Sequence, residues 1–208
     1  MRNFLTAIFV ALFLLTSTTH AKKHFVPPEI FQPEMFFSSE TNFQRGNDYY
    51  ELGQYELAIQ CYDRVIEVNS YDSAAYNNRG NAYDALGQYY QAIQDYDEAI
   101  RLNPNNAMAY SNRGSTYIHL GQYQQAIQDC NAAIQLKPNY SHAYNNRGVA
   151  YRHLGLNDLA KADFEKALEL DPNNTKAREN LGRYSSEIEE LLLGDPNQWF
   201  TITVQPKE

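Results

Sequence analysis

The feature that most constrains this chain is a ladder of glycines. Gly46, Gly80, Gly114, Gly148 and Gly182 recur every 34 residues, and Gly53, Gly87, Gly121 and Gly155 form a second ladder with the same period. Nine of the ten glycines therefore share one register, and Pro104, Pro138 and Pro172 keep it too. Self-similarity at a fixed period of this length marks a repeat array, in which no unit buries its apolar face alone and neighbours must stack.

The unit from Ser73 to Asn106 shows what is repeated. Tyr76, Gly80 and Tyr83 fall at i, i+4 and i+7, and Ala92, Tyr96 and Ala99 do the same after a Gly87-Gln88-Tyr89 break. That spacing predicts two amphipathic helices joined by a short turn. Glycine inside the first helix costs about 1 kcal/mol relative to alanine, a cost that makes sense where two helix backbones approach closely. Gly87 sits where a left-handed C-cap is expected. Pro104 biases Asn103 away from helical angles and ends the second helix, and the Asn and Ser residues that follow are suited to capping the next one.

These residues resemble the tetratricopeptide-repeat family, whose 34-residue helix-turn-helix unit carries an aromatic, a Leu-Gly, a Tyr, then Ala, Phe, Ala and Pro at fixed offsets. Unit two (73–106) supplies Tyr76, Gly80, Tyr83, Ala92, Tyr96, Ala99 and Pro104. Unit three (107–140) supplies Tyr110, Gly114, Tyr117, Ala126, Ala133 and Pro138, with Cys130 in place of the aromatic. Unit four (141–174) supplies Tyr144, Gly148, Tyr151, Ala160, Phe164, Ala167 and Pro172. Unit one (39–72) is degenerate: Asn42 replaces the first aromatic, Val65 the second alanine and Ser70 the proline. Residues 175–193 begin a fifth first-helix with Leu181-Gly182 in register, and Glu187, Glu189 and Glu190 make it a polar closing helix. The resemblance implies an all-α solenoid of stacked hairpins, coiled into a right-handed superhelix with the first helices on the concave face.

One departure from the family pattern needs a physical reason. Where most members have Leu before the glycine, this chain has Arg45, Arg79, Arg113 and Arg147, and Asp95, Asp129 and Asp163 lie 16 residues after the last three. Three ion pairs inside hairpins are therefore expected: Arg79 with Asp95, Arg113 with Asp129 and Arg147 with Asp163. In unit one Cys61 stands at the aspartate position. Two other readings stay open: each aspartate pairs with the arginine of the next unit, or the arginines form a ligand-binding row. A partly buried arginine needs a paired acceptor, and a periodic one is already on offer.

In the family, positions 2, 5, 6, 9, 12 and 13 of each first helix face the concave groove. Carried onto this sequence, they give a peptide-binding set of Asn47, Asn77, Asn78, Asn81, Asn112, Ser115, Asn146, His119, His142, Arg152 and His153. An amide side chain both donates and accepts, so rows of asparagine suit an extended main chain whatever its sequence; a plain solvated face is the alternative. Some family members grip the C-terminal carboxylate of heat-shock chaperones with two lysines, an arginine and two asparagines. Asn47 and Asn78 match that clamp, but Phe43, Met108 and Asn112 replace the three cations, so the implied partner is another protein or peptide and not such a tail. Glu40, Glu51 and Asp84 lie at one end of the groove, and Arg152 and the three histidines lie towards the other. A bound segment should therefore run in one direction, held more tightly at mildly acidic pH.

The remaining features bound where and with what the chain works. Lys plus Arg of 17 against Asp plus Glu of 25 gives a net charge of −8, which speaks against nucleic acid, whose phosphates need a basic patch. Residues 1–21 look like a signal peptide: Arg2 gives the positive start, Phe4 to Leu15 the apolar run, and Thr19-His20-Ala21 the cleavage point. The alternative is a membrane anchor over residues 4–15, although that run falls short of the roughly 20 residues a span needs. Export makes a disulfide worth testing, yet Cys61 and Cys130 sit two repeats apart on equivalent helices, beyond the reach of about 7 Å. His119, His142 and His153 match no compact metal motif, and no nucleophile, acid or cofactor constellation stands out, so neither enzyme nor cofactor is expected. Asn139-Tyr140-Ser141 and Asn173-Asn174-Thr175 fit glycosylation acceptors.

Residues 22–38, with three prolines among Phe25, Phe31, Phe36 and Phe37, read as an extended lead-in. In the tail 194–208, Trp199 to Val204 alternates like a short strand. Two functions follow: a non-enzymatic scaffold or chaperone-like adaptor of an exported compartment that holds an extended segment in the groove, or a structural subunit of an envelope or secretion assembly that uses its convex face and tails. The oligomeric state is left open.

Overall fold

The structure is a computed structural model that describes residues 38–183. The expected signal peptide or anchor, nearly all of the lead-in, residues 184–193 of the closing helix and the tail with Trp199 to Val204 lie outside the described residues.

The described chain is a run of helical hairpins. α1 (Ser39–Glu51) pairs with α2 (Tyr55–Val68), α3 (Ser73–Ala85) with α4 (Tyr89–Leu102), α5 (Ala107–His119) with α6 (Tyr123–Leu136), and α7 (Ser141–His153) with α8 (Asn157–Leu170). A further helix, α9, begins at 175 and continues through the last described residue, 183. None of the described helices is long and apolar enough to cross a membrane.

The turns follow from the glycines. Gly53, Gly87, Gly121 and Gly155 all hold φ between 72° and 74°, a left-handed conformation that closes each first helix in a Schellman motif. After α1, the N–H of Gly53 donates to the Tyr50 carbonyl at 3.0 Å and that of Gln54 to the Tyr49 carbonyl at 2.8 Å. The second helices end in an extended residue such as Asn103, at φ −136° and ψ 89°. The next first-helix is then capped by a side chain: Asp72 accepts from the N–H groups of Ala74 and Ala75, and Asn106 from that of Ala109. Tyr140 cannot cap α7, and its ring packs instead beside Ala107, Ala133 and Ala143.

The inner glycines serve close approach. A Cβ on Gly46 would stand 2.5 Å from the Tyr62 ring, one on Gly80 2.8 Å from Tyr96, and one on Gly148 2.7 Å from Phe164. These three rings thus lie directly against the glycine backbone of the facing first helix. Around these rings the core is built of small residues, with Ala75, Ala92, Ala109, Ala126, Ala143 and Ala160 fully buried. Such cores bring backbones together and leave little room for change. In unit three the ring is replaced by Cys130, whose sulfur would be 3.1 Å from a Cβ on Gly114. Cys61 and Cys130 are both buried and both free, and burial pushes both thiols up from their ordinary value.

Adjacent hairpins meet unequally on their two faces. α1 touches α3, α3 touches α5 and α5 touches α7, whereas no second helix comes within 8 Å of another, Cα to Cα. First helices packed side by side against splayed second helices bend the stack, with α1, α3, α5 and α7 on the inside of the bend.

Candidate functional site

The concave face is therefore the face of the first helices, and two periodic polar networks start from those helices. The first belongs to the arginines. Arg79 Nε and Nη2 donate to the two carboxylate oxygens of Asp95 at 2.8 and 2.6 Å, Arg113 to Asp129 at 2.8 and 2.7 Å, and Arg147 to Asp163 at 2.8 and 2.8 Å. Each is a bidentate fork inside one hairpin. The same guanidinium uses its remaining nitrogen on the preceding hairpin: Arg79 Nη1 reaches Asp63, Arg113 Nη1 reaches Asp97, and Arg147 Nη1 reaches the amide oxygen of Asn131. The arginines staple neighbours as well as closing their own hairpins, and tyrosines hold them in place. Arg79 lies 5.4 Å from the Tyr76 ring centre and 6.0 Å from that of Tyr83.

These pairs fix the geometry of each hairpin at a cost in desolvation. Burial works against the charge of Arg79 and Arg113, but their carboxylate bonds outweigh it and hold both guanidiniums above the ordinary arginine value. Burial also pushes the Asp95 and Asp129 carboxyls up, and the guanidiniums only partly pull them back. Desolvation thus offsets part of what the attraction returns. No aspartate of the three pairs with the next unit's arginine, and Arg79, Arg113 and Arg147 are all engaged, so they form no ligand-binding row.

The second network belongs to the asparagines and revises the expected groove. Asn77 and Asn145 are each only 5% exposed, and Ser111 at the same position of α5 is 1% exposed. Asn77, assigned to the groove by position, thus faces the seam between first helices. Asn112 Nδ2 donates across that seam to Asn77 Oδ1 at 3.2 Å and Asn81 Oδ1 at 2.9 Å. Asn78 Nδ2 donates to Asn47 Oδ1 at 3.0 Å, Asn146 Nδ2 to the Ser111 carbonyl at 3.2 Å, and Asn180 Nδ2 to Asn145 Oδ1 at 2.9 Å. The amides form an internal ladder that sets the register of one hairpin on the next. The physical reason is proximity: first helices that touch have little solvent between them, so polar side chains at positions 5 and 6 find each other first.

In units one and two the ladder is tied to the core through one tyrosine hydroxyl each. Tyr62 OH donates to Asn47 Oδ1 and Tyr96 OH to Asn81 Oδ1, each at 2.8 Å. Where the ring has no hydroxyl, as in Phe164, the residue at the asparagine position is Val149; where Cys130 replaces the ring, it is Ser115. A buried hydroxyl needs an acceptor and a bare ring does not.

What the groove offers to solvent is thus smaller than the sequence implied. Asn47, Asn78, Asn81, Asn112, Ser115 and Asn146 are half-buried, and Met108, His119, His142 and His153 are exposed. His119 stacks on Tyr89 with centroids 5.2 Å apart, and His153 on Tyr123 at 4.7 Å, each pair bridging two hairpins. Asp84 accepts from the Thr116 hydroxyl at 2.6 Å and lies 4.0 Å from His119. Arg152 is half-buried, and its Nη1 is enclosed with no hydrogen-bond partner. Among the described residues no three His, Cys, Asp or Glu side chains gather into a metal-binding group. Asn139 and Asn173 are exposed on turns between hairpins.

Comparison with known proteins agrees with this geometry. A family model described as "Tetratricopeptide repeat" matches residues 73–106, 107–140 and 141–174, and a second, "TPR repeat", matches 46–87. No curated protein sequence matches the chain. Among solved structures, MamA is 31% identical with a TM-score of 0.59, over 67% of this chain and 81% of that one. The Arabidopsis OM64 TPR domain is 38% identical with a TM-score of 0.52, over 54% of this chain and 93% of that one. The first TPR of Spaghetti (RPAP3), bound to the HSP90 peptide SRMEEVD, is 35% identical with a TM-score of 0.53, over 56% and 93%. With matches that run without a gap from residue 46 to residue 174, and with hairpins that stack as described, the chain belongs to the tetratricopeptide-repeat family.

Proposed function

We propose that this chain is a non-enzymatic scaffold that holds an extended segment of another protein along its concave face. The observation that carries the reading is the bend itself. First helices touch and second helices do not, which leaves a long inner surface on which polar side chains such as His119, His142 and His153 are exposed beside Ala74 and Met108. A related TPR domain, 35% identical, is bound to the HSP90 peptide SRMEEVD, which supports peptide capture here. The ligand differs from that peptide's anchoring end, because Phe43, Met108 and Asn112 occupy the clamp's cationic positions. The compartment is an exported one, after removal of residues 1–21 at Ala21; the basic start and the apolar run of Phe4 to Leu15 support this.

Asparagine-to-alanine variants would test this badly, since those amides hold the repeats together. Position 2 of the first helices is the better target: Ala74, Met108 and His142 are exposed there. Affinity capture from the exported fraction with the native chain, followed by mass spectrometry, identifies the partner. Replacing all three residues by glutamate should abolish its capture while leaving the helical signal intact. Undiminished capture would instead favour the second reading, a structural subunit that uses other surfaces. One observation favours that alternative: Tyr71, Val68 and Tyr90 are large apolar side chains outside the first-helix face, 75%, 72% and 68% exposed.

A further inference from the structure

We infer that Tyr62 and Tyr96, buried and out of reach of any ligand, are positioning residues that aim amide NH₂ groups of the groove at the main-chain carbonyls of a bound segment. The inference rests on the groove reading above and goes beyond it, because it says which half of the groove reads a main chain and what makes it do so.

Hydrogen-bond accounting leads there. An asparagine side chain has one oxygen with two lone pairs and one NH₂ with two hydrogens. In Asn47 both lone pairs are used, by Tyr62 OH at 2.8 Å and Asn78 Nδ2 at 3.0 Å. In Asn81 both are used by Tyr96 OH at 2.8 Å and Asn112 Nδ2 at 2.9 Å. The orientation of each amide is thereby fixed from two sides. Among the described residues neither Nδ2 makes a hydrogen bond, and neither is among the enclosed atoms that lack one. Two donor groups therefore remain open on a half-buried, preorganised surface. Asn112 is the complement: its NH₂ gives both hydrogens to Asn77 and Asn81, and its oxygen is left to accept. Donors at 47 and 81 and an acceptor at 112 are complementary to the C=O and N–H groups of an extended chain.

The array stops after unit three. Asn146 gives its NH₂ to Ser111 and accepts from Asn145 at 3.3 Å, and position 149 is valine where a hydroxyl-free ring, Phe164, fills the core. The fourth unit therefore offers a main chain no open amide donor at these positions, and it adds side-chain recognition through His142, Arg152 and His153. The occupant is an extended peptide whose main chain lies over units one to three.

The test uses the full chain and an uncharged main-chain probe, N-acetyl-tetra-alanine amide, followed by NMR of the asparagine side-chain NH₂ signals. Titration should shift the signals of Asn47 and Asn81 and leave those of Asn145 and Asn146 unmoved. Replacing Tyr62 and Tyr96 by Phe, the ring unit four already tolerates, should weaken binding about tenfold, the loss of roughly one net hydrogen bond. If that variant unfolds, Phe164→Tyr with Val149→Asn serves instead: it should add a shifting side-chain amide at position 149 and strengthen binding. Native affinity in the double Phe variant, or a silent amide at 149 in the installed pair, overturns the positioning role while the groove still binds. If no concave-face signal moves at all, the groove reading fails, and this inference fails with it.

Discussion

Tyr96 and Phe164 hold equivalent places in the second and fourth hairpins. Each ring lies where a side chain on the facing glycine would stand, 2.8 Å from a Cβ on Gly80 and 2.7 Å from one on Gly148. They differ by one hydroxyl, and the difference reaches the groove. Tyr96 must find an acceptor and finds Asn81, whose oxygen also receives Asn112 from the next hairpin. Phe164 has no such need, and Val149 stands where the asparagine would be. Core, seam and concave surface are thus one network in the amino-terminal half and separate concerns in unit four. What a repeat shows to a partner is decided partly by what it buries.

The largest effect expected from breaking this comparison comes from the glycines both halves share. Gly80→Ala and Gly148→Ala drive a methyl into an aromatic ring and should each lose about 2–3 kcal/mol in urea unfolding, the upper range for overpacking. Gly114→Ala meets only the Cys130 sulfur at 3.1 Å and the Ala126 carbonyl at 3.3 Å. The gain in helix propensity of about 1 kcal/mol should offset much of that strain, so it should be the mildest of the three. A second test removes the difference itself. Tyr96→Phe makes unit two resemble unit four, leaves Asn81 one donor short, and should cost about 1 kcal/mol. The smallest effect belongs to the outer arm of the arginine staples. Asp97 is 54% exposed at its side chain, so Asp97→Ala should cost less than about 0.5 kcal/mol. Asn131→Ala, its neutral counterpart in the next seam, should cost no more, measured by the same unfolding midpoint.

The fold was legible because the punctuation is covalent in origin. Gly87 is expected to cap its helix in the left-handed region, and it and its equivalents Gly53, Gly121 and Gly155 do so at 72–74°; Asn103, before proline, leaves helical angles as its neighbour demands. The bidentate partners of the arginines were visible as a fixed spacing of 16 within a unit. Their third partners lie at the same spacing in the opposite direction, at Asp63, Asp97 and Asn131, and were missed because they cross a unit boundary. The groove was the least legible part. Positions 5 and 6 were treated as facing solvent, but helices that touch turn Asn77, Ser111 and Asn145 inward and let Asn78, Asn112 and Asn146 bond across the seam. A signal for this was present: asparagine at 47 and 81 goes with tyrosine 15 residues later, valine at 149 with phenylalanine. The expected signal peptide, glycosylation and direction of the bound segment rest on sequence and on proposal.

The coupling between ring and amide is measured most directly by a double-mutant cycle in unit four. Phe164→Tyr places a hydroxyl in the core opposite valine and should cost about 2 kcal/mol, the penalty of a buried donor without an acceptor. Val149→Asn in the same chain should return most of it, a coupling of at least about 1 kcal/mol. If the two changes simply add, with a coupling inside about 0.3 kcal/mol, the hydroxyl and the amide do not act as a unit, and the link between what these repeats bury and what they present is broken.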